Sequence, residues 1–223
     1  MPQTGFELPV FFDLGATFAF ALSGALAGIK RHYDIVGVLA LAVVSGIGGG
    51  LIRDGLFLNQ GATPLLTNPN YIFVILGAVA ASVLFRSRVH HFARIIAVID
   101  ALGLGAYAAF GVQKSLEAGL APPAAVMVGV VNAIGGGILR DLISREEPLV
   151  FRPGQFYLLT ALAGAVTFVF CSVTLELSAN QSALVAVTLT FVFRILTITF
   201  NWRTAPVATA SPFSGERSEP SGK

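Results

Sequence analysis

The sequence predicts an all-α integral membrane protein of seven transmembrane helices, built as two inverted three-helix repeats plus a seventh helix. Three observations carry that prediction. The 223 residues are 55% hydrophobic and only 12% charged, with mean hydropathy +0.78, whereas soluble domains carry about 25% charged residues. Apolar windows recur along the chain at a length suited to lipid. The text "GGGLIRD", Gly48 to Asp54, returns as "GGGILRD", Gly135 to Asp141.

The windows fall at about 9–29, 35–54, 70–85, 95–113, 121–140, 155–176 and 181–200. Each approaches the ~20 residues with which a helix crosses about 30 Å of hydrocarbon. The alternating ten-residue segments of a membrane β-barrel are absent. The membrane domain is therefore expected over residues 1–203, with repeat one at about 9–86, repeat two at about 94–176 and the seventh helix at about 181–200. No Lys or Arg precedes Lys30, so the first span lacks the basic leader of a signal peptide and is expected to be retained. Residues 204–223 are rich in Pro, Ser and Gly and are expected to be a disordered tail, because such a composition buries too little surface to fold. Trp202 and Arg203 before it suit an interfacial anchor. Cys171, the single cysteine, falls inside a span, where it is expected to act as a small buried hydrophobe.

Charge orients the chain. Ten Lys and Arg residues fall on the side that holds Lys30, Arg86, Arg145 and the C-terminus, and Lys114 alone falls on the other. The positive-inside rule then places the N-terminus outside and the C-terminus in the cytoplasm. The basic loops carry no nucleic-acid-binding motif, so no nucleic-acid partner is expected.

The repeat has one offset. Gly48 and Gly135 stand 87 positions apart, and the same spacing pairs Arg53 with Arg140, Asp54 with Asp141, Asp13 with Asp100 and Gly24 with Gly111. Further on, "PLLTNPNYIF" at 64–73 resembles "PLVFRPGQFY" at 148–157 once three residues are dropped. Each copy holds three spans, and an odd number of crossings turns the second copy upside down, as in many transport proteins.

Three consecutive glycines admit two readings. They break helices 2 and 5 at Gly48, Gly49, Gly50 and at Gly135, Gly136, Gly137, freeing carbonyls that replace part of an ion's hydration shell. Alternatively they let helices pack closely, as small residues do in lipid. Ser45 and Asn132 hold equivalent positions three residues before each triplet; they extend a pore lining or bond neighbouring helices. Gly24 and Gly28, four apart, suit packing within one subunit.

Adjacent residues on a helix do not face each other, so Arg53 and Asp54 are expected to find partners elsewhere. Arg53 lies about 27 Å along the second span and Asp13 about 6 Å into the first, entered from the opposite side, so both reach one membrane face. Inversion brings Arg140 and Asp100 together near the other face. Two ion pairs, Asp13–Arg53 and Asp100–Arg140, are expected to brace the helices or to stand in the pore as selectors. Arg194, near the end of the seventh span, is expected to snorkel.

Other motifs fail on context. "GLGAYA" at 103–108 lacks the preceding strand that a dinucleotide fold needs. No phosphate-binding G-x-x-x-x-G-K-[ST] occurs, which argues against an ATP-driven pump. His32, His90 and His91 lie in basic loops and lack the further ligands of a metal site. No nucleophile–base arrangement points to an enzyme, and no cofactor is expected.

The duplicated GGG-x-x-RD, with "DLGATFAFALSGALAG" opening copy one and "DALGLGAYAAFGVQKSLEAG" opening copy two, resembles prokaryotic members of the trimeric intracellular cation channel family over about residues 9–200. The resemblance implies a homotrimer with a pore in each subunit, bent helices 2 and 5, and conduction of monovalent cations, chiefly potassium and also sodium. Its pore motifs fall on Gly48–Gly50 and Gly135–Gly137, followed by Arg53, Asp54, Arg140 and Asp141. Animal members carry a Lys-Glu-Val segment that this chain lacks, so the resemblance implies the plasma (inner) membrane of a prokaryotic cell, with membrane lipid around the trimer. A secondary transporter of a small solute, such as a compact amino acid, is the alternative, because inverted repeats suit it equally.

Overall fold

A computed structural model describes residues 8–58, 64–86, 92–152, 156–200 and 202. Among the described residues, seven apolar helices make up the fold: α1 Val10–Lys30, α2 Ile35–Ile52, α3 Asn70–Phe85, α4 Phe92–Glu117, α5 Pro122–Ile143, α6 Tyr157–Val169 and α7 Ala179–Thr199. α2 runs on as a π-helix over Arg53–Leu58, α6 as one over Phe170–Thr174, and a single turn at Pro64–Thr67 precedes α3. With these extensions, six helices among the described residues have the length and hydropathy to cross a membrane. α3, at 16 residues, is shorter, about 24 Å long. His90, His91 and the tail at 204–223 lie outside the described residues.

Local signals start the helices where the sequence carries them. The Asp34 carboxylate caps α2 by accepting the Gly37 N–H at 2.8 Å. Pro122 begins α5, a position where its missing N–H costs nothing. Ser178 and Gln181 form a capping box at α7. Large apolar side chains such as Val36, Leu84, Met127 and Leu184 point outward, as a surface facing lipid requires.

The contacts show the inversion directly. Arg140 of α5 meets Ser23 and Asp100; Tyr107 meets Thr17; Arg53 meets Asp13, and Lys114 meets Asp54. Along this series the α1 partner falls from Ser23 to Asp13 while the α4 residue rises from Asp100 to Lys114. α1 and α4 therefore run antiparallel, one opening each copy. α7 packs on α4 and α6.

α2 and α5 cross at the glycine triplets, and here the geometry corrects one expectation. Both helices continue unbroken through Gly48–Gly50 and Gly135–Gly137. A Cβ on Gly49 would collide with the Asn132 carbonyl oxygen, one on Gly136 with the Ser45 carbonyl oxygen, and one on Gly135 would stand 3.1 Å from Gly49 Cα. The glycines thus let two backbones touch, and the dispersion gained at that contact offsets their low helix propensity. Gly24 packs on Leu41 and Ser45, and Gly28 on Val38, which joins α1 to α2 within the subunit.

Candidate functional site

The buried carboxylates Asp13, Asp54, Asp100 and Asp141 and their arginines Arg53 and Arg140 gather in two clusters, one on each side of the crossing. Ser23 lies ten residues beyond Asp13 on α1, so the clusters are separated by about 15 Å along that helix.

In the Asp13 cluster, Arg53 and Asp13 are both buried, with Nη1 and Oδ1 4.0 Å apart. Arg53 turns instead to its neighbour, Nε donating to Asp54 Oδ1 at 2.7 Å and Nη2 to Oδ2 at 3.0 Å. Lys114 Nζ approaches Asp54 at 3.5 Å. The Tyr71 hydroxyl donates to Asp13 Oδ2, and the Arg53 guanidinium lies over the Phe110 ring, 5.1 Å from its centroid.

The Asp100 cluster is tighter. Arg140 Nη1 reaches Asp100 Oδ1 at 2.6 Å and also donates to Ser23 Oγ, while Nε donates to Asp141 Oδ1 at 2.9 Å. Asp141 Oδ2 accepts the Leu149 N–H at 3.1 Å. Gly137 makes room for the Tyr157 hydroxyl, which would stand 2.8 Å from a Cβ there.

Both expected ion pairs are present, but the neighbours do meet. Arg53 with Asp54, and Arg140 with Asp141, form ion pairs that the helix-face rule excluded. The rule concerns Cβ directions. An arginine side chain is long enough to curl back along its own backbone, and burial leaves it no water to prefer. Arg194 is a second correction. It does not snorkel: it is 2% exposed and stacks over the Tyr157 ring at 5.1 Å, an attraction that strengthens out of water. Cys171 is buried and free, as expected.

Between the clusters, Thr17 and Tyr107 hydroxyls bond at 2.8 Å, and the Tyr107 hydroxyl donates to the Gly46 carbonyl. Asn132 Nδ2 donates to the Tyr107 carbonyl at 2.7 Å, and its Oδ1 has no hydrogen-bond partner among the described residues. Ser45 is buried and bonds the Leu41 carbonyl of its own helix at 2.6 Å. Beyond the Asp100 cluster, a cavity of ≈ 110 Å³ opens among Ala27, Lys30, Arg31, Arg140, Asp141 and Glu146. Glu146 bridges its rim to Lys30 at 3.3 Å, Arg31 at 2.9 Å and Arg152 at 3.1 Å. Partial burial pushes the Glu146 carboxyl up, but the hydrogen bonds from Arg152 and Lys30 outweigh it and hold it below its ordinary 4.5. Among the described residues, no group of three or more His, Cys, Asp and Glu could hold a metal ion.

Tyr71, Tyr107, Tyr157, Ser23 and Phe110 join these networks without having been singled out by sequence. A signal existed for two of them. Ser23 and Phe110 share the 87-residue offset and occupy equivalent places beside Arg140 and Arg53.

A membrane protein with two inverted helical repeats around paired buried charges is what fold and site define. One family model, described as "Glycine transporter", matches twice, at residues 10–87 and 97–173, again 87 residues apart at the start. A UPF0126 membrane protein of Deinococcus radiodurans is 38% identical over 158 residues, 70% of this chain and 72% of that one. The UPF0126 inner membrane protein YadS of Escherichia coli is 29% identical over 86% of this chain and 92% of its own length. The crystal structure of the TRIC trimeric intracellular cation channel orthologue from Rhodobacter sphaeroides superposes with TM-score 0.80 at 30% identity, covering 86% of this chain and 97% of that one. The chain belongs to the family in which the bacterial UPF0126 membrane proteins and the prokaryotic TRIC orthologues fall together.

Proposed function

We propose that the chain is a monovalent cation channel, mainly for potassium, that assembles as a homotrimer with a pore in every subunit. The proposed route runs where α1 and α4 meet the α2–α5 crossing, from the Asp13 cluster to the Asp100 cluster. Ser45, Asn132, Gly48–Gly50 and Gly135–Gly137 flank its middle. The observation that carries this reading is the alignment of two inverted charged clusters through the interior of one subunit, where buried ionisable groups mark ion pathways. Arg53 and Arg140 each stand against two carboxylates. The Asp100–Arg140–Asp141 unit carries one net negative charge, which favours cations where an arginine alone would favour anions, while Lys114 balances the second carboxylate of the Asp13 cluster. The orthologue from Rhodobacter sphaeroides is described as a trimeric cation channel, and YadS as an inner membrane protein, which supports trimerisation and a multi-pass place in a prokaryotic plasma membrane. The excess of basic residues on one side supports an external N-terminus and a cytoplasmic C-terminus.

Planar bilayers holding the purified protein test the reading. Discrete unitary currents with potassium as sole permeant cation are expected, unaltered when the anion is replaced by a large impermeant one. Saturable uptake of labelled glycine without resolvable currents overturns the channel in favour of a solute carrier.

A further inference from the structure

The polar groups between the two clusters are distributed unevenly. The 87-residue offset relates Tyr107 to Phe20 and Gly46 to Ala133. Tyr107 bonds the Gly46 carbonyl through its hydroxyl; the symmetric bond, from position 20 to the Ala133 carbonyl, has no donor because position 20 is phenylalanine. Phe20 is fully buried at the centre of α1. Its ring stacks on Tyr107 with centroids 5.3 Å apart and lies against Gly103 and Gly136, where a Cβ would stand 2.8 Å and 3.6 Å from its edge. Glycine on α4 and glycine on α5 thus form the slot that holds the ring beside the helix crossing.

We propose that Phe20 is the apolar barrier of the conduction route, one ring thick, and that Tyr107 is the polar half of the same pair. This inference rests on the channel reading. Polar groups lead from the Asp13 cluster through Thr17 to the Tyr107 hydroxyl. They resume on the far side at Ser23 and Arg140, and the Phe20 ring fills the step between. An apolar constriction of this kind opposes conduction by excluding water. A hydroxyl there supplies one hydrogen-bonding group to a passing ion or water.

Four proteins test it: the wild type, Phe20→Tyr, Tyr107→Phe and the exchanged double variant, compared by unitary potassium conductance in planar bilayers. Phe20→Tyr is expected to raise conductance about two- to tenfold, the rate factor for one net hydrogen bond at a barrier. Tyr107→Phe is expected to lower it by a similar factor, and the exchange to restore it near the wild type. Size-exclusion profile and thermal midpoint report folding of each variant. Should the added hydroxyl prevent Phe20→Tyr from folding, Tyr107→Phe, which only removes an atom, carries the test by itself. A conducting wild type whose folded variants conduct equally overturns the barrier and leaves the channel standing. A silent wild type overturns both.

Discussion

The Asp13 and Asp100 clusters contain the same aspartate, arginine and following aspartate at one offset, yet they are packed differently. Arg140 holds Asp100 at 2.6 Å, whereas Arg53 stands 4.0 Å from Asp13. Two local differences account for this. The place of Ser23, whose hydroxyl accepts from Arg140, is taken in the other copy by Phe110, which offers Arg53 a π face. In addition, α2 becomes a π-helix from Arg53 onward, while α5 stays α-helical to Ile143. With the wider turn goes a two-pronged contact of Arg53 on Asp54, where Arg140 makes a single bond to Asp141. At the equivalent of Ala27, beside the cavity, the other copy carries Lys114, which reaches Asp54. Duplication supplied the charges, and divergence at their neighbours set how firmly each pair is held.

The comparison is most easily broken by removing the arginines. Arg140→Ala leaves Asp100 and Asp141 buried without their main partner and is expected to destabilise the protein by about 3–5 kcal/mol, read as thermal unfolding in detergent. Arg53→Ala, whose carboxylates keep Tyr71 and Lys114, is expected to lose about 1–3 kcal/mol. If Arg53→Ala costs as much as Arg140→Ala, the difference in tightness has no energetic meaning.

The crossing that joins the clusters comes next. Gly49→Ala forces a methyl group onto the Asn132 carbonyl and is expected to cost about 1–3 kcal/mol through displacement of backbone. Gly77→Ala, where a Cβ meets nothing within 4 Å, is expected to stabilise α3 by up to about 1 kcal/mol. Equal effects at the two positions would mean that the triplets are not a packing contact.

A smaller change sharpens the contrast. Phe110→Ser returns a hydroxyl to the Asp13 cluster and is expected to strengthen Asp13–Arg53 coupling in a double-mutant cycle by about 0.5–1.5 kcal/mol. Unchanged coupling would assign the loose geometry to the π turn alone.

The least effect is expected at the cavity rim. Glu146 is partly exposed, so Glu146→Gln is expected to cost less than about 1 kcal/mol. The carboxyl sits below its ordinary 4.5, so its pairing contributes fully above that value and is lost as pH falls through the lowered one. Unfolding midpoints measured from pH 7 downward should therefore show a shallower acid decline in Glu146→Gln than in the wild type. Parallel declines would remove Glu146 from the account.

Much of the site was legible in the residues, for reasons that can be named. Asp13, Arg53, Asp100 and Arg140 stood out because charge is costly at membrane depth, and helical rise alone placed each carboxylate beside its arginine. Gly48–Gly50 were legible as special but not in their role. A glycine run reads the same whether it breaks a helix or admits another backbone, and only the Ser45 and Asn132 carbonyls pressed against it distinguish the two. Arg194 was misplaced because snorkelling is the default for an arginine near a helix end, and nothing local announces the Tyr157 ring beneath it. Tyr71 and Tyr157 escaped notice because they stand 86 residues apart, off the common offset, and the segment alignment pairs neither with the other.

Sequence by itself determined the apolar spans, the duplication and the inversion, because hydropathy and an odd count of crossings act along the chain and need no partner. Tertiary structure alone decided which backbone the glycines touch, which ring each arginine faces and how far each charge stands from its counter-charge. Those outcomes depend on side chains distant in sequence competing for the same buried space, where tenths of an ångström separate a bonded pair from a loose one.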